Sequence, residues 1–177
     1  MPTQLALRPL DVPVALQLAD PSDLTYEQVG AMLGISQSTA HDSVRRLRAA
    51  GLVQAEQLKA NRLALLEFLE HGVRYAFPAV FSPPTPGIPT AFSGPALADE
   101  IIADESIVWP AATGAAFGPA ITPLLSNVAE LPKRHPTLYR LLTLVDAIRV
   151  GRARERALAI DLLRSALRSQ KAQLAHG

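Results

Sequence analysis

Apolar positions in the first third of the chain recur three and four residues apart, and small polar residues and glycines punctuate them. This spacing predicts a first helix over Asp11–Ala19, with Leu16 and its apolar neighbours turned inward. Pro13 falls in its first turn, where a missing N–H costs no helical hydrogen bond. Asp20-Pro21-Ser22-Asp23 reads as a turn. Thr25 is the expected N-cap of a second helix, Tyr26–Leu33, with Gln28 three residues on as in a capping box. Gly34 ends that helix in the left-handed region glycine tolerates, and Ser36 caps a third helix that runs to about Ala50 before Gly51 stops it. In the third helix Ala40, Val44 and Leu47 stand at i, i+4 and i+7 and form a buried seam. Ser38, Thr39, His41, Asp42, Arg45 and Arg46 are left on exposed or flanking faces.

The pattern weakens after Gly51. Leu52-Val53 begins an extended segment, and Gln54–Ala60 is expected to return on it as a hairpin. Asn61–Arg74 reads as a further helix with Leu63, Leu66, Phe68 and Leu69 on its apolar face. Helical periodicity then gives way to prolines: Tyr75–Pro136 holds 11 of the 15 in the chain. Pro83-Pro84-Thr85-Pro86-Gly87 predicts a rigid turn or extended loop, and proline confines any strands here to short or edge positions. Ile107–Trp109 and Phe117–Ile121 are the candidate strands, and Leu97–Ala103 is a candidate short helix. Leu138, Leu141, Leu142, Val145 and Ile148 restore helical spacing over Pro136–Val150. Gly151 interrupts it, and a last helix is expected from Arg152 to about Ala175, with Leu158, Leu162, Ala166 and Leu167 on one stripe.

Composition narrows the function classes. About half the residues, 49%, are apolar, enough to build a core. The absence of cysteine excludes disulfides, thiolate zinc sites and cysteine nucleophiles, and is compatible with a reducing cytoplasm. Met1–Leu10 lacks the long apolar core and cleavage site of a secretory signal, and no apolar run is long enough to cross a bilayer, so a soluble cytoplasmic protein without membrane partners is expected. The net charge is only +1, but its distribution is uneven: Tyr75–Leu131 carries no Lys or Arg, while basic residues gather around Arg45–Arg62 and Lys133–Lys171.

Leu24–Val53, about a sixth of the chain, resembles the winged helix-turn-helix of bacterial transcriptional regulators of the MarR and IclR type. The likeness rests on Ala31, where the first motif helix must be small, on the turn glycine Gly34, on Ile35 anchoring the turn, and on Ser36-Gln37-Ser38-Thr39 opening the recognition helix. Leu47, Gly51, Leu52 and Val53 lead into the wing. The resemblance implies double-stranded DNA as partner, with the N-terminal half of the third helix entering the major groove. The candidate DNA-binding residues are Ser36, Gln37, Ser38, Thr39, His41, Asp42, Arg45, Arg46 and Arg48, with Lys59 and Arg62 from the wing. Gln37 suits adenine, Arg45 or Arg46 guanine or phosphate, and Arg48 backbone phosphate. Asp42 fits less easily, since a carboxylate repels phosphate; it either accepts from a cytosine amine or orients a neighbouring arginine. The wing carries only Lys59 and then Arg62, so it is expected to be truncated.

The fold class expected is therefore mainly α, within α+β: a winged helix-turn-helix over residues 1–62, a helix and Pro-rich α/β region over 63–131, and two C-terminal helices over 132–177 that are candidates for dimerisation. The expected function is a transcriptional repressor reading a pseudo-palindromic operator as a homodimer. Two alternatives use the middle region. One is an antitoxin-like autoregulator whose Pro-rich segment binds a partner protein. The other is a regulator sensing a small-molecule effector in a pocket lined by Tyr75, Phe77, Phe81, Phe92, Trp109 and Phe117.

No enzyme, cofactor or metal site is expected. His41, His71, His135 and His176 are scattered, and Glu67 with His71 reads as an i, i+4 surface pair. Asp99-Glu100 and Asp104-Glu105 lack a nucleophile or phosphate loop beside them. Arg149, Arg152, Arg154 and Arg156 read as a solvated helix face in preference to a phosphate-binding one.

Overall fold

The computed structural model describes residues 4–172, and among these the chain is mixed α and β, with eight helices and one small three-stranded sheet. Two compact units emerge: one from the chain up to Leu65 together with the end of the last helix from Leu167, the other from Leu66–Ala166. Among the described residues no helix is long and apolar enough to cross a membrane.

The first unit is built on α1 (Asp11–Leu18), α2 (Tyr26–Leu33) and α3 (Gln37–Ala49), each packed against the other two. Val14, Ala15 and Leu16 of α1 meet Val29 and Leu33 of α2 and the Ala40–Val44–Leu47 seam of α3 in a dry core. The helix limits follow from local chemistry. Thr25 Oγ1 accepts from the Gln28 amide at 3.2 Å, while Gln28 Oε1 accepts from the Thr25 amide at 2.8 Å, which completes the capping box. Ser36 Oγ accepts from the Thr39 amide at 3.1 Å and starts α3. Gly34 sits at φ 67°, where a side chain would be strained. The close approach between α2 and the turn falls on Gly30, where a β-carbon would stand 2.8 Å from the Ile35 carbonyl oxygen. Ala31, expected to be the small residue, is exposed. Thr25→Ala removes one half of the capping box, and urea denaturation is expected to show a loss of about 1 kcal/mol.

Beyond α3 the chain folds back through a single antiparallel bridge, Val53 with Ala60. The Gln54 amide donates to the Lys59 carbonyl and the Asn61 amide to the Leu52 carbonyl. No strand forms here among the described residues. The Ala60 amide donates instead to the Leu18 carbonyl and ties the return to the end of α1.

α4 (Arg62–His71) turns Leu65 and Leu69 inward and leaves Leu63 82% exposed; of the expected face Leu69 is buried and Leu66 and Phe68 are half-buried. Gly72 ends it and a short α5 (Val73–Ala76) follows, where one continuous helix was expected. In the second unit α7 (Pro136–Val150) exposes Pro136, Thr137 and Arg140 at its start and is buried all round from Leu141 to Arg149, as a helix at the centre of a core must be. Packed on it are α5, α6 (Leu131–Arg134) and a one-turn helix at Ala91–Ser93. The last helix, α8 (Ala153–Ala172), buries Ala159, Leu163 and Leu167, with Leu158 and Leu162 half-buried beside them. Its expected extension to Ala175 lies outside the described residues.

Two strands, Val108–Pro110 and Ala116–Ile121, lie within a residue of where they were expected, and the departure is a third. β1 (Phe81–Pro89) runs through the proline cluster as the sheet's longest strand. It pairs antiparallel with β2 (Val108–Pro110) and with β3 (Ala116–Ile121), and β2 touches β3 in parallel at Val108 and Ala120, so the three strands close on themselves. Pairing with β3 slips between Ser82 and Thr85, which takes Pro83 and Pro84 out of the ladder, while Pro86 and Pro89 stay in register with Phe117 and Val108. Leu97–Ala103 forms turns and no helix; Leu97 is an anchor in the core and Ile102 is fully exposed.

Candidate nucleic-acid interface

The seam of α3 faces α1 and α2, and this leaves Gln37, Ser38, His41, Asp42 and Arg45 exposed along one side of the helix. Ser36 and Thr39 are partly committed elsewhere: the Ser36 hydroxyl caps α3 and lies 2.7 Å from Thr39 Oγ1. The His41 ring stands 5.1 Å from the Tyr26 ring, so the start of α2 backs this face. Asp42 and Arg45, at i and i+3, pair at 3.8 Å with both side chains more than half exposed.

Arg46 is not on this face. Its guanidinium is buried and donates in a two-pronged contact to Asp11 of α1, Nε to Oδ2 at 2.9 Å and Nη2 to Oδ1 at 2.7 Å. Ser43 Oγ donates to the same Asp11 Oδ1 at 2.6 Å, and the Arg8 amide to Oδ2 at 2.8 Å. The hydrogen bonds to Asp11 raise the Arg46 pKa, and burial opposes them less strongly, so the guanidinium keeps its charge. Nothing local in the sequence marks Asp11, because its partner lies 35 residues away.

Three further cations expected to meet DNA, Arg48, Lys59 and Arg62, are likewise turned toward the protein. Arg48 donates to the Gln54 carbonyl at 3.2 Å and to Tyr26 Oη at 3.3 Å. Lys59 Nζ donates to the carbonyls of Pro21 and Ser22 and pairs with Asp23 at 3.0 Å. Arg62 donates twice to the Ala19 carbonyl, Nε at 3.1 Å and Nη2 at 2.7 Å. Lys59 and Arg62 pin the returning segment and the start of α4 to the loop after α1, and Arg48 ties its first residue to α2.

The second unit holds a buried polar cluster that the sequence pattern did not mark. Asp146 accepts from Thr90 Oγ1 at 2.8 Å, Trp109 Nε1 at 2.6 Å and Arg149 Nη1 at 2.6 Å, while Arg149 Nε donates to the Phe77 carbonyl at 2.8 Å. Burial pushes the Asp146 carboxyl up; the Arg149 charge and the three donors pull it down. Arg149 is therefore an internal cation and takes no part in a solvated helix face. The Tyr139 ring leans on Trp109 at 5.7 Å, its hydroxyl donates to the Pro89 carbonyl at 2.6 Å, and burial raises its pKa to about 12, so it remains a donor.

The aromatic residues do not converge on one pocket. Trp109 is sealed in the core, whereas Tyr75, Phe81 and Phe117 are exposed. A cleft of about 280 Å³ lies elsewhere, lined by Glu100, Ile101, Ile102, Arg154 and Glu155. His71 pairs with Glu70 at 3.4 Å, not with Glu67, and Glu70 is also held by Arg164. His176 lies outside the described residues. No family model, curated protein or solved structure matches the chain.

Proposed function

We propose that this chain is a sequence-specific DNA-binding transcriptional regulator of the winged helix-turn-helix kind, a repressor that reads a pseudo-palindromic operator as a homodimer through α3. One observation carries the reading: α3 is held by a dry seam and a capped start, and presents Gln37, Ser38, His41, Asp42 and Arg45 on one open side. Those are a hydroxyl, an imidazole, an amide, a carboxylate and one guanidinium, side chains of the kinds that read base edges in a major groove. Arg46, Arg48, Lys59 and Arg62 fall out of the proposed contact set because each is engaged within the protein.

Selection of bound duplexes from a random pool tests this. The expected product is a two-fold related motif with half-sites about one helical turn apart. Gln37→Ala should change the preferred base at one position per half-site. Failure to enrich any motif, with no binding that outlasts competitor DNA, overturns the reading.

A second reading has its own observation. Tyr75, Val80, Phe81 and Phe117 are exposed in a segment without a single Lys or Arg, which favours an antitoxin-like regulator that also holds a partner protein through the second unit. A gene for a small toxin beside this one would support it, and a neighbourhood without one would count against it. The effector-pocket reading loses its motive, since the tryptophan at its centre is packed and hydrogen-bonded.

A further inference from the structure

Resting on the DNA-binding reading above, we infer that Arg45, oriented by Asp42, reads one guanine in each operator half-site, and that it is the guanine-reading arginine of α3. Of the three arginines on this helix, two are already committed. Arg46 is buried in its two-pronged contact with Asp11, and Arg48 is drawn to Tyr26 Oη and the Gln54 carbonyl. Arg45 remains, more than half exposed on the same side as Gln37, Ser38 and His41.

Its neighbour decides what Arg45 contacts. A guanidinium serving a phosphate gains nothing from a carboxylate 3.8 Å away, because that carboxylate meets the same phosphate and repels it. A guanidinium serving guanine meets only the neutral acceptors N7 and O6, presented side by side in the major groove. There the carboxylate does no harm. It restricts the rotamers of a long, otherwise free side chain, and its own acceptors suit the cytosine amine on the same base-pair edge. The chemistry that makes Asp42 awkward on a phosphate-binding face makes it apt on a G·C-reading one. Asp42 is a positioning residue in this arrangement, and Arg45 the specificity-determining one.

The experiment uses the full chain and the duplex that selection enriches, with binding read by fluorescence anisotropy. Each guanine of the half-site is replaced in turn by 7-deazaguanine, which lacks the N7 acceptor. At one guanine the native protein is expected to lose about tenfold in affinity. Arg45→Ala should lose a comparable factor on the unmodified duplex and nothing further on the modified one. Asp42→Ala should shrink the 7-deazaguanine penalty, and Asp42→Glu should restore it. If Arg45→Ala weakens all sequences evenly and lowers the salt slope by about one, Arg45 is a phosphate contact and the inference is overturned while the DNA-binding reading stands. A 7-deazaguanine penalty equal in native protein and Arg45→Ala at every guanine overturns it too. If the native protein enriches no motif, the parent reading fails and this inference falls with it.

Discussion

Asp146→Ala is expected to leave the Leu66–Ala166 unit unfolded or barely folded at room temperature. The substitution removes the partner of Arg149, a guanidinium with only 4% of its side chain exposed, and strands it in the core. It also takes the acceptor from Thr90 Oγ1 and Trp109 Nε1. Breaking a buried pair by deleting one member costs about 3–5 kcal/mol, and a buried donor left unpaired adds about 1–3 kcal/mol. Against a typical total of about 5–15 kcal/mol, that is enough to empty the native state. The check is direct, because Trp109 is the sole tryptophan and touches Asp146. Its emission should shift to that of hydrated indole, with a fall in the urea midpoint. The double variant Asp146→Leu with Arg149→Leu should recover much of the loss, since no charge is then buried. A change below about 1 kcal/mol in the single variant would refute this account of the core.

The acidity of the same group gives a sign. Asp146 binds its proton more readily in the folded chain than in the unfolded one, because burial outweighs Arg149 and the hydrogen bonds. Its contribution to stability is therefore fully present below the ordinary carboxylate range and declines as pH rises through the raised folded value. The contacts of Asp146 with Thr90, Trp109 and Arg149 fix how α7 lies against the Thr90 turn and β2.

Asp11→Ala should have the second-largest effect. Asp11 is 1% exposed and receives Arg46, Ser43 and the Arg8 amide, so it joins α1 to α3 across the core of the first unit. A loss of about 3–5 kcal/mol is expected, read as a lower denaturation midpoint by helical circular dichroism. Asp11→Asn should cost nearly as much despite its almost unchanged shape, because Arg46 still lacks a counter-charge. Asp42→Ala, at an exposed pair on the same helix, should move the midpoint hardly at all. Equal behaviour of the Asp11 and Asp42 variants would mean that the buried contact is not what holds α3.

What the sequence disclosed and what it hid divide along physical lines. Thr25, Gln28, Gly34 and Ser36 act on groups within four residues, so the limits of α2 and α3 could be read from local chemistry. The same holds for α7, whose apolar positions are too dense for any other element. Phase was harder where leucines crowd together. In α4 the run Leu63, Leu65, Leu66, Leu69 fits two faces, and packing selects Leu65 and Leu69. In α8 the buried stripe is likewise one residue on from Leu158 and Leu162. β1 was concealed because proline argues against a paired strand; the slip that takes Pro83 and Pro84 out of the ladder is a property of the pairing, with no local signal in the sequence. Of the candidate site, the exposed side of α3 was legible from its seam. The inward turn of Arg46 was not, since Asp11 is remote in sequence, and neither were the carbonyls that take Lys59 and Arg62.

Those cations keep their charge, but the balance around them bears on how fast such a protein would find its site. Long-range attraction to a polyanion needs an excess of positive charge, and residues 1–65 carry six Lys and Arg against six Asp and Glu, with Arg45 on the open side of α3 offset by Asp42. Arrival at DNA would then proceed near the unsteered rate of about 10⁵–10⁶ M⁻¹s⁻¹, well short of the 10⁸ or more that charge steering permits. Sliding along non-specific sequence, which draws on the same charges, would be brief. Occupancy of an operator would depend on residence time there, and hence on the few base contacts of α3, more than on the frequency of encounter.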